Sequence, residues 1–301
     1  DGRWRWLLFD IDLGTAHPWS AGVGDLTLQA ALSPSGRPGF NAPWGTAVFR
    51  ALMTHPAWKL EFINTAADLL NSRYSATHAA ALVDTMRNEL KPAMEEHIRR
   101  WRANGGSVAA WELRVRTLRD FALQRAAVVR QHVQTELKLS GSSRLTLGIN
   151  TPGSGWIRVN QLLIDEKLPG TRVPLYPWTG FYFHGIPVTL EAQPAPGWRF
   201  DHWTGLTATG PVASVNPAPG LTCTAHFVAD RPMLQDLQAN PGGLRVTLIG
   251  RPGAQYGLQA SANLGDWTDL GTVTCDPWGK ADFEFPAMDT PERRYYRVLA
   301  Q

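Results

Sequence analysis

The chain has 301 residues, 44% of them hydrophobic and 18% charged, which is length for two or three domains with a sizeable core and too apolar for long disorder. Its formal charge of +3 comes from 29 Lys plus Arg against 26 Asp plus Glu, a balance that does not imply a nucleic-acid partner. No stretch approaches the roughly 20 apolar residues of a membrane span, and no secretory leader is read at the start.

The excess charge is uneven: residues 1–140 hold 17 basic and 13 acidic groups, and 141–301 hold 12 and 13. The opening Arg3-Trp4-Arg5-Trp6-Leu7-Leu8-Phe9 reads as a strand that runs into Asp10-Ile11-Asp12-Leu13-Gly14. Residues 15–44 carry scattered Pro and Gly and no sustained period, so they are expected to form a long loop.

Helical spacing then takes over. Thr46–Met53 is a short helix, and Pro56 stands where a first-turn proline belongs, with Trp58, Phe62, Ala66, Leu69 and Leu70 in one stripe. Ser75 caps the next helix, striped by Leu82, Met86, Leu90, Met94, Ile98 and Trp101, and Pro92 is expected to kink or restart it. Gly105-Gly106 ends that run. Ser107 starts a long helix with Trp111, Val115, Leu118, Ala122, Val129, Val133 and Leu137 on one face, and most of its arginines on the other. That basic face is read as solvated surface in preference to an anion site.

At Ser140-Gly141-Ser142-Ser143 the composition changes. Leu145–Ile149, the turn Pro152-Gly153-Ser154-Gly155 and Trp156–Val159 are expected to form a hairpin, with further strands at 188–192 and 222–227. After Asp230-Arg231-Pro232, strands at 244–248, 256–260, 267–270 and 294–298 suggest a β-sandwich. The 13 Trp keep a stacking role open. For Trp156, Trp178, Phe181, Tyr182, Trp198 and Trp203, core packing is preferred over recognition.

The aromatic strand followed by Asp10-Ile11-Asp12 resembles the CotH family, secreted kinases related to spore-coat protein H and distantly like protein kinases. The runs His55-Pro56-Ala57-Trp58, Ala67-Asp68-Leu69-Leu70-Asn71, Glu89 to Trp101, and Leu118-Arg119-Asp120-Phe121-Ala122 extend the resemblance over roughly residues 1–140. Pro187 to Gly205 resembles a divergent InlB-type bacterial repeat, and Tyr256 to Val298 a C-terminal fibronectin-like module.

The expected fold is therefore multidomain α+β: a mainly helical kinase-like C-lobe portion at 1–140, a β-rich repeat-like module at 141–230, and a fibronectin- or Ig-like sandwich at 231–301. A kinase of this kind needs a phosphate-binding Lys and a catalytic loop upstream. The chain starts after both, so it is expected to be the C-terminal fragment of a longer secreted or surface kinase, inactive by itself.

Asp10 and Asp12, two apart on a strand, point to one face, and paired carboxylates can hold a divalent cation. The resemblance makes both of them Mg²⁺ ligands and puts Asp10 and Gly14 at the nucleotide, with Mg²⁺ and ATP implied for the complete parent and neither expected to bind tightly here. Gly14 equally suits an ordinary loop. Without the resemblance, the two acids read as a polar strand end.

The implied partners are a protein phosphoacceptor or cell-surface component, with carbohydrate or protein through the β modules, at an extracellular or cell-surface location. The alternatives are a non-catalytic surface adhesion protein on the same scaffold and, more remotely, a DxD-containing nucleotide-sugar transferase. The eight His form no HxH or HExxH pattern, and Cys223 and Cys275 lie too far apart for a CxxC pair, so no zinc site is expected. His202 is read as a satisfied surface histidine.

Overall fold

The computed structural model of the protein describes residues 22–36, 42–102, 106–240, 243–286 and 295–300. Helices fill the N-terminal half and several small β-sheets follow, in keeping with α+β architecture with all-β units. The opening strand of the sequence reading lies outside the described residues.

Inside the expected loop of 15–44, Thr27–Leu32 forms α1, whose Leu28 and Leu32 pack on the main core. The segment TLQAAL has good helix formers, and a single turn and a half is too short to show a period. Ala47–Met53 is α2 and Pro56–Asn71 is α3, with the proline in its first turn. Helix α3 uses two faces. Trp58 and Phe62 stack with each other and meet Phe49 of α2 edge-on, while Ile63 and Ala67 are buried in the core, with Leu70 buried alongside.

Helix α4, Ala76–Trp101, is capped by Ser75, whose hydroxyl accepts from the His78 N–H. It runs unbroken through Pro92, so of the expected kink or restart the restart does not occur. Pro92 is exposed, so water can reach the carbonyl that its missing N–H leaves unpaired. Its expected stripe is also only partly buried: Met94 and Ile98 are covered, but Leu82, Met86, Leu90 and Trp101 are exposed.

Ser107 caps α5, Val108–Glu136, by accepting from the Ala110 N–H. The pair α4 and α5 is tied by a two-bond ion pair from Arg87 to Glu112, both contacts 2.7 Å, and by Arg119 to Asp84 at 3.0 Å.

Eight strands make the next unit: β1 Ser142–Ile149, β2 Gly155–Val159, β3 Leu162–Leu163, β4 Trp178–Phe183, β5 Val188–Pro194, β6 Trp198–Thr204, β7 Val212–Val215 and β8 Thr222–Ala229. They form two four-stranded sheets in the orders β4-β1-β8-β6 and β3-β2-β5-β7. The expected hairpin of β1 with β2 does not exist. The two strands lie in different sheets, with β1 pairing antiparallel to β4 and parallel to β8, and β2 pairing with β3 and β5. The connection at 150–154 therefore passes between sheets. Asn150 closes it, its side-chain amide bonding both the N–H and the C=O of Phe227.

The core of this unit is continuous with the helices. Leu145, Leu147, Ile157, Val159, Tyr182, Phe183, Leu190 and Phe227 form one cluster with Ile63 and Ala67 of α3 and with Val133 and Leu137 at the end of α5. Most of the aromatics in the middle of the chain serve it. Trp178, Tyr182 and Trp203 are buried, and Phe181 alone of the six is exposed.

The last unit has two three-stranded sheets. They use β9 Met233–Asn240, β10 Gly243–Ile249, β11 Gln255–Ser261, β12 Thr268–Thr274, β13 Lys280–Pro286 and β14 Tyr295–Ala300, in the orders β13-β10-β9 and β12-β11-β14. Val246, Leu258 and Phe285 pack between the sheets, and Leu248, Tyr256 and Cys275 form a second small cluster. Cys223 and Cys275 are both buried and free. Among the described residues no helix is long and apolar enough to cross a membrane.

Candidate functional site

Asp10, Asp12 and Gly14 lie outside the described residues. What is described is how the chain just after them is fastened. Arg125 of α5 donates to the carbonyls of Val23, at 2.6 Å, and of Asp25, at 3.0 Å, and to the Thr27 hydroxyl at 3.3 Å. One guanidinium thus seats the start of α1 on the long helix, and a planar five-donor fork suits that task.

Where α3 meets the first β unit, one carboxylate is buried. Asp68 is 3% exposed. Its carboxylate accepts from the Tyr182 hydroxyl at 2.9 Å, the Asn160 amide at 3.1 Å and the Gln161 N–H at 3.5 Å. Burial raises its pKa to about 6, and the three donors moderate the rise. Burial and the neighbouring Asp68 push the Tyr182 phenol well up, so it stays a neutral donor. Helical periodicity puts Asp68 beside Ala67 on the face that turns to the β unit. Asp68 lines neither of the cavities described below, and its network joins α3 to the first β unit.

One turn later, Asn71 meets the edge of the sheet. Its side-chain carbonyl accepts from the Phe181 N–H at 2.9 Å and its amide donates to the Phe181 C=O at 2.9 Å. Strand β4 is an edge strand, and this pair of bonds stands in for the missing neighbour strand.

The same Asn71 oxygen accepts a long bond, 3.3 Å, from Arg130 of α5. Arg130 and Arg144 both lie over the Phe181 ring, with 5.1 and 5.5 Å to its centre. The Nε of Arg130 is buried with no hydrogen-bond partner among the described residues. Burial pulls its pKa down from the ordinary arginine range, and Tyr182 opposes this.

Arg130 lines a cavity of about 410 Å³ between the end of α3, the start of α4, the middle of α5 and the 170–181 segment. Ser75, Thr77, Arg172, Thr179 and Phe181 also line it. The segment is pinned from below by Tyr176, whose hydroxyl accepts from the Ile157 N–H at 2.7 Å and donates to the Ile164 carbonyl at 3.3 Å. A second cavity, about 480 Å³, runs between α4 and α5 and is lined by apolar side chains such as Leu82, Met86, Leu118 and Phe121.

The basic face of α5 is thus not uniformly solvated as expected. Arg119 faces Asp84, but Arg125 and Arg130 are partly buried. The signal that separates them was present in the sequence only as their place one turn from Ala126 and Val129, on the flank of the apolar stripe. Arg172 carried no sequence signal, and Asn71 only its place in the run Ala67 to Asn71 that carries the family resemblance. On the first β unit, His202 stacks on His226 at 4.3 Å and bonds Asp201 at 2.9 Å, as a satisfied surface histidine would. Among the described residues no group of three or more His, Cys, Asp or Glu is placed to hold a metal ion.

In comparison with known proteins, residues 1–129 fit the family model described as CotH kinase protein. The similarity covers less than half of the chain and lies in the helical part. No curated protein and no solved structure matches the chain.

Proposed function

We propose that this chain is part of a CotH-like protein kinase, in which residues 1–129 contribute to the phosphoryl-transfer site and the β units serve attachment. The observation that carries the reading is the family match over those residues. Two carboxylates at 10 and 12 are a hard oxygen donor set that suits Mg²⁺, and Asp10 and Asp12 would hold it. When bound, the ion offsets the charge of a nucleotide's phosphates.

In this reading Gly14 lets the backbone turn close to the nucleotide. Arg125 fixes the next described stretch, Val23 to Thr27, against α5, so the carboxylates are carried by a chain with a rigid anchor downstream. The helical half is then the kinase-like C-lobe portion. Residues 141–230 are the repeat-like module and 231–301 the fibronectin-like module. A protein phosphoacceptor and an extracellular or surface setting follow from the family alone. A surface adhesion role on the same scaffold is the reading to which failure would point.

The test is phosphate transfer from labelled ATP to a protein acceptor by the complete gene product that contains this chain. Asp10→Asn is expected to abolish the labelling. Labelling that survives this substitution would overturn the assignment.

A further inference from the structure

The cavity around Arg130 combines features that bear on one another. Its lining includes two arginines and several hydroxyls but no Asp or Glu. Among the described residues Arg130 donates one hydrogen bond, the 3.3 Å contact to Asn71, from a fork of five donors, and its Nε is buried without a partner. A guanidinium taken from water without a carboxylate is costly to bury, and such charges are ordinarily paired. Asp68, the buried acid of the same interface, is already held by three donors and does not bond it.

Arg172 stands on the opposite wall, exposed and without a partner among the described residues. The first turn of α4 also opens here. Ser75 takes up the His78 N–H, and in a helix the N–H groups of Ala76 and Thr77 have no partner within it. That end of a helix carries partial positive charge. The ring of Phe181 adds an apolar wall, and a volume of about 410 Å³ is in the range of small-ligand sites.

We propose that this cavity binds a small organic phosphate monoester, its phosphate held by Arg130, Arg172 and the start of α4, and its organic part against Phe181. A doubly charged, tetrahedral oxyanion accepts from several directions at once, which matches cations on two walls and helix N–H groups on a third. A monocarboxylate would leave more of these donors unused. The proposal uses neither Asp10 nor Asp12 and does not rest on the kinase reading.

The experiment is calorimetry on the full chain at fixed ionic strength, with phenyl phosphate and inorganic phosphate as probes. Phenyl phosphate is expected to bind at one saturable site and more tightly than inorganic phosphate. Arg172→Gln, at an exposed position, should weaken it about tenfold, the size of one charge-assisted contact. Arg130→Gln should abolish it with helical circular dichroism unchanged. If Arg130→Gln unfolds, Arg172→Gln decides.

Arg199→Gln on β6 should leave binding as it is. Absence of saturable binding, equal affinity in Arg172→Gln, equal affinity for inorganic phosphate, or loss in Arg199→Gln would each overturn the proposal.

Discussion

Val133 of α5 and Val246 of β10 are both buried, 2% and 0% exposed, but they sit in cores of different kinds. Val133 belongs to a cluster that takes in α3, the end of α5 and both sheets of the first β unit. Val246 shares a small cluster whose members all come from the last β unit. The helical half and the first β unit therefore depend on each other for burial, and among the described residues the buried clusters of the last unit take in neither. A border in composition, as at Ser140 to Ser143, marks a change of secondary structure. It does not say where a core ends. The family match stops at residue 129, while the core beneath it continues through Val133, Leu137 and Leu145.

The sharpest way to break this contrast is to cut a large side chain from each core. Phe227 is 1% exposed in the shared cluster. Phe227→Ala should cost about 4–5 kcal/mol. Helical circular dichroism and the fluorescence of the first β unit should then be lost together, at one lowered melting temperature.

Phe285, also 1% exposed, stacks on Tyr296 with ring centres 4.0 Å apart. Phe285→Ala should cost about 3–4 kcal/mol, but only in residues 233–300. The helical transition should stay where it was. A shift of the helical melt by Phe285→Ala would mean that the units are coupled.

Asp68 sharpens the comparison through pH. Its pKa is 3.8 in the open chain and about 6 in the fold, so between these values the folded state binds the extra proton. Its contribution to stability is complete below pH 3.8 and is lost as pH rises through about 6, a change of about 3 kcal/mol. Asp68→Asn should remove that slope from the melt of the helices and first β unit, as followed by thermal unfolding over this window. The melt of the last unit should be unaffected. At the small end, Arg119→Ala breaks an exposed pair with Asp84 on the outer side of α4 and α5. It should cost about 0.2–1 kcal/mol in denaturant titration.

Local signals survived the passage from sequence to structure. Ser75 and Ser107 cap their helices and Pro56 opens α3 because a cap or a first-turn proline acts within a few residues. Long-range pairing was not legible. Residues 145–159 look like a hairpin because they have strand, turn and strand. The partner that β1 takes, β8, arrives some 75 residues later and runs parallel, and nothing local announces it.

The exposure of Leu82, Met86 and Leu90 was hidden for the same reason. Period gives a face, and the neighbours decide whether the face is covered. As for the site, Asp10 and Asp12 were drawn from a motif and its family. The burial of Arg130 had no such signal, since it depends on where β4 and the 170–181 segment come to rest.

The central claim is that the helices and the first β unit fold as one body around one core. Thermal unfolding of three lengths of chain, residues 1–140, 1–230 and 1–301, followed by helical circular dichroism, tests it directly. The account predicts that 1–230 melts cooperatively at the temperature of the helical transition in the full chain, and that 1–140, stripped of the partners of Ile63, Ala67 and Val133, shows no cooperative melt. A cooperative melt of 1–140 at that same temperature would contradict it.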